Sequence, residues 1–417
     1  MAIVLTSQPS SFGLVYNDNP FTMYSTNYSP TQRFAITVLP TNINTQPVFG
    51  TFRVYPRIDS NGGVNKAYFD PSRILQSTIS SDIAIPGANN NAFFPCNNSH
   101  DEYLLFIVEE DKDAQGVYQT IDSTFTEVRS VWNGVRDLTD WLDFDYNLYI
   151  MGTSVNRFLT EAPRTQYLNT NQSYFLHFIA TSQNAGKSYK INVYDASDNL
   201  TFASTIDNPN ASFITSTYDY KYQRIAVGSY DISNMDATLS STAGIGSALN
   251  GASYYTIQLF GSSSNRSEMF TFKLDQQCSK YEPVRLQWLN RLGGYDSFNF
   301  NFKSEVKTGV KRETYDQQPH TFTGTSWEYT KASRGTTQYH TALAKETTVN
   351  TGYLDDATSL WMEDLFTSPV VYIESNNELI AVNISGRSIN KQTSLNDKLC
   401  QYTFDIEYAL TNIRQRG

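Results

Sequence analysis

The sequence predicts an all-β fold of two or three consecutive β-sandwich or jelly-roll-like domains with a few short helices. Three observations carry that expectation. Aromatic residues make up 14 % of the 417 positions, with 28 Tyr and 25 Phe, and such side chains suit a pleated, half-buried surface. Charged residues reach only 17 %, below the usual quarter of a chain, so Asn, Ser, Thr and Gln must supply most of the polar surface. Short apolar runs with period-2 alternation recur between clusters of turn formers.

The first segment, residues 1–95, reads as a small N-terminal β-sandwich. Phe34-Ala35-Ile36-Thr37-Val38-Leu39 and Gly50-Thr51-Phe52-Arg53-Val54-Tyr55 are strand-like, and Asn61-Gly62 between such runs is a hairpin signal. Asp70-Pro71 followed by Ser72-Arg73-Ile74-Leu75-Gln76 predicts one or two helical turns, with Asp as cap, Pro at the first position, and Ile74, Leu75 and Thr78 on one face. Pro86-Gly87-Ala88-Asn89-Asn90-Asn91 holds only turn formers and marks the first boundary.

The middle segment, residues 96–275, is a second β-rich domain with strands at Tyr103 to Val108, Tyr189 to Tyr194, Tyr222 to Val227 and Tyr254 to Phe260. Residues 124–142 carry two opposed signals. Val128, Val131, Trp132, Val135, Leu138 and Leu142 fall at helical spacing behind a Thr124/Glu127 capping box, yet Asn133-Gly134 in their midst is a hairpin turn dipeptide. The Gly/Ser/Ala-rich stretch 240–253 is expected as an exposed loop.

The last segment, residues 276–417, is a C-terminal β-domain with the clearest alternation. Val284, Leu286 and Trp288 interleave with Arg285 and Gln287, and Phe298, Phe300 and Phe302 interleave with Asn299, Asn301 and Lys303, which places three rings on one face. Leu292-Gly293-Gly294-Tyr295 joins the two runs as a hairpin. Val370 to Ile373 is expected to pair with Leu379 to Ile384 across Ser375-Asn376-Asn377, and Tyr402, Phe404, Ile406, Tyr408 and Leu410 alternate with polar residues. Asp355-Asp356 caps a short helix with Leu360, Trp361 and Leu365 on its apolar side and Pro369 beyond its end.

Composition narrows the function classes. A net charge of −10, with basic residues scattered singly, gives no attraction to phosphate backbones, so no nucleic-acid partner is expected. Apolar runs such as Leu104-Leu105-Phe106-Ile107-Val108 are strand-sized, far short of the roughly 18 residues of a membrane span, so no membrane partner is expected either. The start MAIVLTSQPSSFG lacks the basic region of a secretory signal, and synthesis in a cytoplasm is the expectation.

Signatures of catalysis and cofactor binding are missing. Cys96, Cys278 and Cys400 lie far apart and read as buried free thiols rather than metal or disulfide partners. His100, His177, His320 and His340 are equally dispersed, and His177, inside an apolar run, reads as a hydrogen-bonded sheet histidine. Gly244-Ile245-Gly246 lacks the third glycine and the strand–helix context of a dinucleotide site, and Asp59-Ser60-Asn61-Gly62-Gly63 misplaces the glycine of a calcium loop. Glu109-Glu110-Asp111 with Asp113, and Asp140, Asp143 and Asp145 around Trp141, are carboxylate groups of the kind a glycosidase pairs, but acids beside aromatics read first as turn chemistry. The expectation is a protein that is not an enzyme and carries no cofactor or metal.

One stretch is specific. Cys278 to Asp316 reads CSKYEPVRLQWLNRLGGYDSFNFNFKSEVKTGVKRETYD, with a core of Trp288, Leu289, Asn290, Arg291, Gly293, Gly294, Asp296, Phe298 and Phe300. It resembles a segment recurrent in large virion structural proteins of tailed bacteriophages that infect Bacteroidota, including the crAss-like group. Phe69 to Gln76 and Tyr402 to Ala409 are similar to such proteins as well. The resemblance implies a place in the virion, in its tail or neck, with several copies around the tail axis and with other tail or neck proteins as partners. It implies no catalytic residue. Within the hairpin, Trp288, Phe298, Phe300 and Phe302 are expected as core, Gly293 and Gly294 as backbone requirements, and Asn290 with Asp296 as turn-stabilising partners. The alternative reading is a receptor- or glycan-binding tail module used in host attachment, with Tyr and Trp side chains forming a platform in the middle segment.

Overall fold

A computed structural model describes residues 3–41, 50–57, 64–87, 91–141, 143–214, 221–235, 244–274, 280–385, 400–410 and 412–413. The Asn61-Gly62 turn, the Asp59–Gly63 loop, Cys278 and residues 240–243 lie outside these. Strands account for 49 % of the chain and helices for 11 %, and the fold is all-β. The chain divides into two compact units: Met1–Gln276 together with Leu289–Asp296, and Gln277–Trp288 together with Ser297–Gly417.

The first unit begins with a sandwich. A three-stranded sheet of β1 (Ile3–Ser7), β3 (Phe21–Ser25) and β6 (Ala67–Phe69) faces a six-stranded sheet in the order β2 (Phe12–Leu14), β10 (Arg129–Trp132), β8 (His100–Lys112), β4 (Arg33–Pro40) and β5 (Phe52–Val54), with β9 (Tyr118–Phe125) also paired to β8. Phe21, Met23, Phe34, Ile36, Val38, Tyr103, Leu105 and Ile107 close the core between them. The pairing of β4 with β8 runs from Arg33↔Glu110 to Pro40↔Tyr103. The expected boundary at residue 95 therefore falls inside this sandwich, because long-range strand pairing overrides the local cluster of turn formers. Beneath β6, Asp70 accepts from the Ser72 N–H at 2.9 Å and starts the single helical turn α1 (Ser72–Leu75), with Pro71 at the cap position.

A second pair of sheets completes the unit. The four-stranded sheet has the order β11 (Ile150–Met151), β13 (Phe175–Ala180), β16 (Tyr222–Ala226), β7 (Phe93–Pro95), and the five-stranded one β12 (Thr165–Leu168), β18 (Phe270–Leu274), β17 (Tyr254–Phe260), β14 (Ser188–Tyr194), β15 (Leu200–Asp207). Two tyrosines stitch them together: Tyr189 donates to the Ala226 carbonyl at 3.2 Å and Tyr255 to the Val227 carbonyl at 2.7 Å. Every residue of β13 is buried.

Helical pieces are short. Residues 124–142 resolve into neither alternative: the chain leaves β10, passes through Asn133-Gly134 without turning back, and forms α2 (Leu138–Trp141). The expected loop at 240–253 contains α3's neighbour α4 (Ile245–Asn250), α3 being Ser229–Met235. Gly244, at φ +87°, caps α4, and Ile245 and Leu249 are buried, so a glycine that reads as loop punctuation starts a helix.

In the second unit one sheet runs β20 (Tyr295–Phe300), β19 (Val284–Leu289), β25 (Val371–Ser375), β26 (Glu378–Ser385), β27 (Cys400–Tyr408), β24 (Thr336–Leu354), β21 (Glu305–Asp316), with β28 (Asn412–Ile413) also on β24 and a separate β22 (Thr321–Phe322) and β23 (Trp327–Glu328) pair. Asn376 and Asn377, at φ 52° and 62°, make the β25–β26 turn, a left-handed conformation that asparagine tolerates. Helix α5 (Asp356–Thr367) starts where Asp355 accepts from the Thr358 N–H at 2.8 Å. Trp361 meets Trp288 at 5.1 Å and Phe298 at 6.0 Å, and Phe366 meets Phe404 at 5.1 Å. Leu360, expected on the apolar side, is 59 % exposed.

Two expectations for this hairpin change. Phe302 lies beyond the end of β20, half exposed, with its ring over Gly352, where a Cβ would sit 2.1 Å away. The polar residues of β19 and β20 are buried as well: the Arg285 guanidinium pairs with Glu374 at 2.7 Å and donates to Asn299 at 2.9 Å. Removing one partner of such a pair strands the other charge. Glu374→Ala is expected to destabilise the second unit by about 3–5 kcal/mol in denaturant unfolding, and Glu374→Gln, which keeps an acceptor, by less.

Candidate functional site

The hairpin tip singled out by the sequence is a structural plug. Leu289–Asp296 belongs to the first unit, and each backbone group at the turn finds a partner. Asn290 Oδ1 accepts from the N–H groups of Leu292 and Gly294, both at 3.0 Å, while its amide donates to the Leu159 carbonyl at 2.9 Å. Trp132 Nε1 donates to the Leu292 carbonyl at 3.1 Å and the Tyr222 hydroxyl to the Gly293 carbonyl at 2.9 Å. Asp296 accepts from Thr160 Oγ1 at 2.9 Å, so it anchors a distant loop. Gly293 has φ +84°, and a Cβ there would lie 1.8 Å from the Asn133 carbonyl oxygen. Trp288 and Phe300 are buried and Phe298 half-buried.

His177 faces the same tip. Its Nδ1 accepts from the Tyr295 N–H at 3.3 Å, its ring lies 6.2 Å from those of Tyr222 and Tyr295, and among the described residues Nε2 has no hydrogen-bond partner. Burial, with the nearby Arg224 charge, holds its pKa well below the ordinary imidazole value. It works as a neutral acceptor. Five of the seven expected acids are engaged one by one: Glu109 is buried and accepts from Ser25 at 2.8 Å and Gln32 at 2.7 Å, Glu110 pairs with Arg33 at 2.6 Å, Asp111 accepts from Thr31 at 2.6 Å, and Asp113 and Asp145 cap their own turns. Cys96 and Cys400 are buried free thiols, and burial pushes Cys96 up to about 12. Among the described residues no three His, Cys, Asp or Glu side chains converge to hold a metal ion, and no helix is long and apolar enough to cross a membrane.

The exposed feature that stands out is an arm. β21 pairs with β24 from Glu305↔Thr348 to Asp316↔Thr336; β27 and β28 flank β24 as far out as Ala342, and the stretch from Arg312↔Thr341 outward is a two-stranded ribbon roughly 17 Å long at the usual strand rise. Eleven of the twelve residues of β21 are exposed, whereas β24 over the same length is mostly half-buried. Rings line it: Tyr315 and Tyr339 lie 6.0 Å apart, His320 and Tyr329 5.1 Å, and Phe322 and Trp327 5.2 Å at the β22–β23 tip. Trp327 is 58 % and Tyr329 71 % exposed. The Tyr339 hydroxyl donates to Glu313 at 2.8 Å beside a bulge at Glu313/Thr314.

Charge distinguishes the arm only slightly: residues 305–348 hold six Lys/Arg against five Asp/Glu, a net +1 in a chain of −10, so the remainder carries −11. A ribbon without a covering layer is marginally stable in water, and its rings gain burial only against another surface. The sequence matches no protein-family model and no curated protein.

The plug yields two expected outcomes. Gly293→Ala should cost roughly 2–5 kcal/mol, from left-handed strain plus the clash with Asn133. Gly251→Ala, with open space around its Cβ position, should stay within about 0.5 kcal/mol; thermal unfolding of both variants checks the pair. For His177, the unfolded chain binds a proton near pH 6.5 that the folded chain refuses. Its contribution to stability is thus complete above about pH 6.5 and declines as pH falls toward the depressed folded value. His177→Gln should flatten that part of the stability–pH curve, measured as the difference between variant and parent from neutral to mildly acidic pH.

Proposed function

We propose that this chain is a non-enzymatic structural subunit that assembles with copies of itself, and that its setting is the tail or neck of a phage virion. The observation that carries the assembly is the arm: a ribbon of exposed rings at and near its tip. A projection of exposed rings meeting a different surface of another copy is a heterologous contact, which closes into a ring or continues as a filament. Aromatic side chains at the tip are the residue types that dominate interface energetics. The resemblance of Trp288 to Phe300 to phage virion proteins supplies the setting, and the low-charge, tyrosine-rich surface suits a subunit that packs against neighbours.

The test is solution assembly. Light scattering on the full chain should show oligomers whose population grows with protein concentration. Replacing Phe322, Trp327 and Tyr329 together by Ser should shift the population to monomer with the melting temperature unchanged. A full chain that stays monomeric at every accessible concentration would overturn the self-assembly reading.

A further inference from the structure

The outer face of the five-stranded sheet carries a second feature, independent of the arm. Register places Tyr194, Tyr254, Lys273 and Tyr167 in one row across β14, β17, β18 and β12. Their chain neighbours Val193, Tyr255, Phe272 and Leu168 are buried on the inner face, so alternation turns the row outward. The next row on the same face is Asn192, Thr256, Thr271 and Thr165, all shorter. Rings therefore stand above a low polar floor, and the step between them bounds a groove of about 630 Å³ lined by Tyr167, Tyr254, Lys273, Thr271, Ser253 and Asp198. That size is typical of a small-ligand site.

The walls are held in place. Tyr254 stacks on Tyr194 at 4.8 Å with 12° between the rings, and Asp198 lines the groove beside it. Asp198 sits at φ 61° in the β14–β15 turn, where the Asp195 carboxylate accepts from the N–H groups of Ser197 at 2.8 Å and Asn199 at 2.9 Å. Opposite, Tyr167 is 62 % exposed, and the Lys273 ammonium lies 5.8 Å from its ring centre. Among the described residues Lys273 makes no ion pair.

We propose that this groove binds a carboxylated saccharide, a pyranose unit whose apolar C–H face lies on the Tyr167 ring, whose carboxylate meets Lys273, and whose hydroxyls meet Asp198 and Ser253. Each part of the lining selects for it. An aromatic ring with hydroxyl and carboxylate acceptors at its edge suits a ring that is apolar on its face and polar on its rim. A neutral sugar leaves the Lys273 charge unanswered. A polyphosphate would bring several charges against one lysine beside Asp198 on an acidic chain, whereas a single carboxylate is answered by Lys273.

An array of neutral, uronic-acid and sialic-acid oligosaccharides probed with the full chain, followed by calorimetry on the best acidic ligand, tests this. Binding to acidic members is expected, with affinity reduced roughly tenfold or more by Tyr167→Ala and by Lys273→Met. Both side chains are exposed, so the melting temperature of either variant should match the parent. Lys273→Met should also abolish the preference for acidic over neutral members. Binding to no member, binding to neutral members alone, or acidic binding indifferent to both substitutions would overturn the proposal.

Discussion

A buried β-turn must find a partner for every N–H and carbonyl it takes out of water, and that requirement organises this protein around residues 289–296. The partners come from four remote stretches: Trp132 with its following residues, the Leu159–Thr160 loop, His177 on β13, and Tyr222 on β16. Gly293 is fixed by the approach of the Asn133 carbonyl, not by the turn alone. The same approach explains why Asn133-Gly134 does not form a hairpin. Its backbone runs along the plug, with the Val135 N–H donating to the Arg291 carbonyl at 2.9 Å.

Much of the fold was legible because alternation is local information. The runs around Phe34, Tyr103, Tyr189, Tyr254, Trp288 and Tyr402 are strands, and the Asp355 cap and the Asn376-Asn377 turn act through their own neighbours. What failed to be legible was non-local. No residue near 95 announces that β8 will return to pair with β4, and no pattern in Arg285, Asn299 and Glu374 distinguishes a buried polar network from a solvated face. Leu360 shows the converse, an apolar residue at helical spacing that the sheet does not reach.

The candidate surfaces divide in the same way. The W-L-N-R-x-G-G-x-D motif marks a place where the backbone is constrained, and its chemistry is that of folding. The arm has no motif. It becomes visible only in the structure, where Val306, Val310 and Tyr315 are exposed for want of a layer to bury them. The tyrosine row is likewise a product of register, since its four members lie on four strands and come from positions 167 to 273. Rigid sandwiches with tyrosines bridging their sheets give such rows a fixed spacing, and this is how a low-charge β-protein presents chemistry without a catalytic cluster.

The route of the chain has a temporal meaning as well. The larger unit is encoded by the first 276 residues plus an octapeptide that arrives only after a strand of the smaller unit has been made. While the polypeptide is still leaving the ribosome, the nascent first unit holds the indole of Trp132 and the hydroxyl of Tyr222 without the carbonyls they will meet. Its closure is deferred until the octapeptide emerges. Order of synthesis is thereby written into the topology: neither unit is a contiguous cassette, and recombination that exchanged one for a homologous sequence would have to carry both segments together.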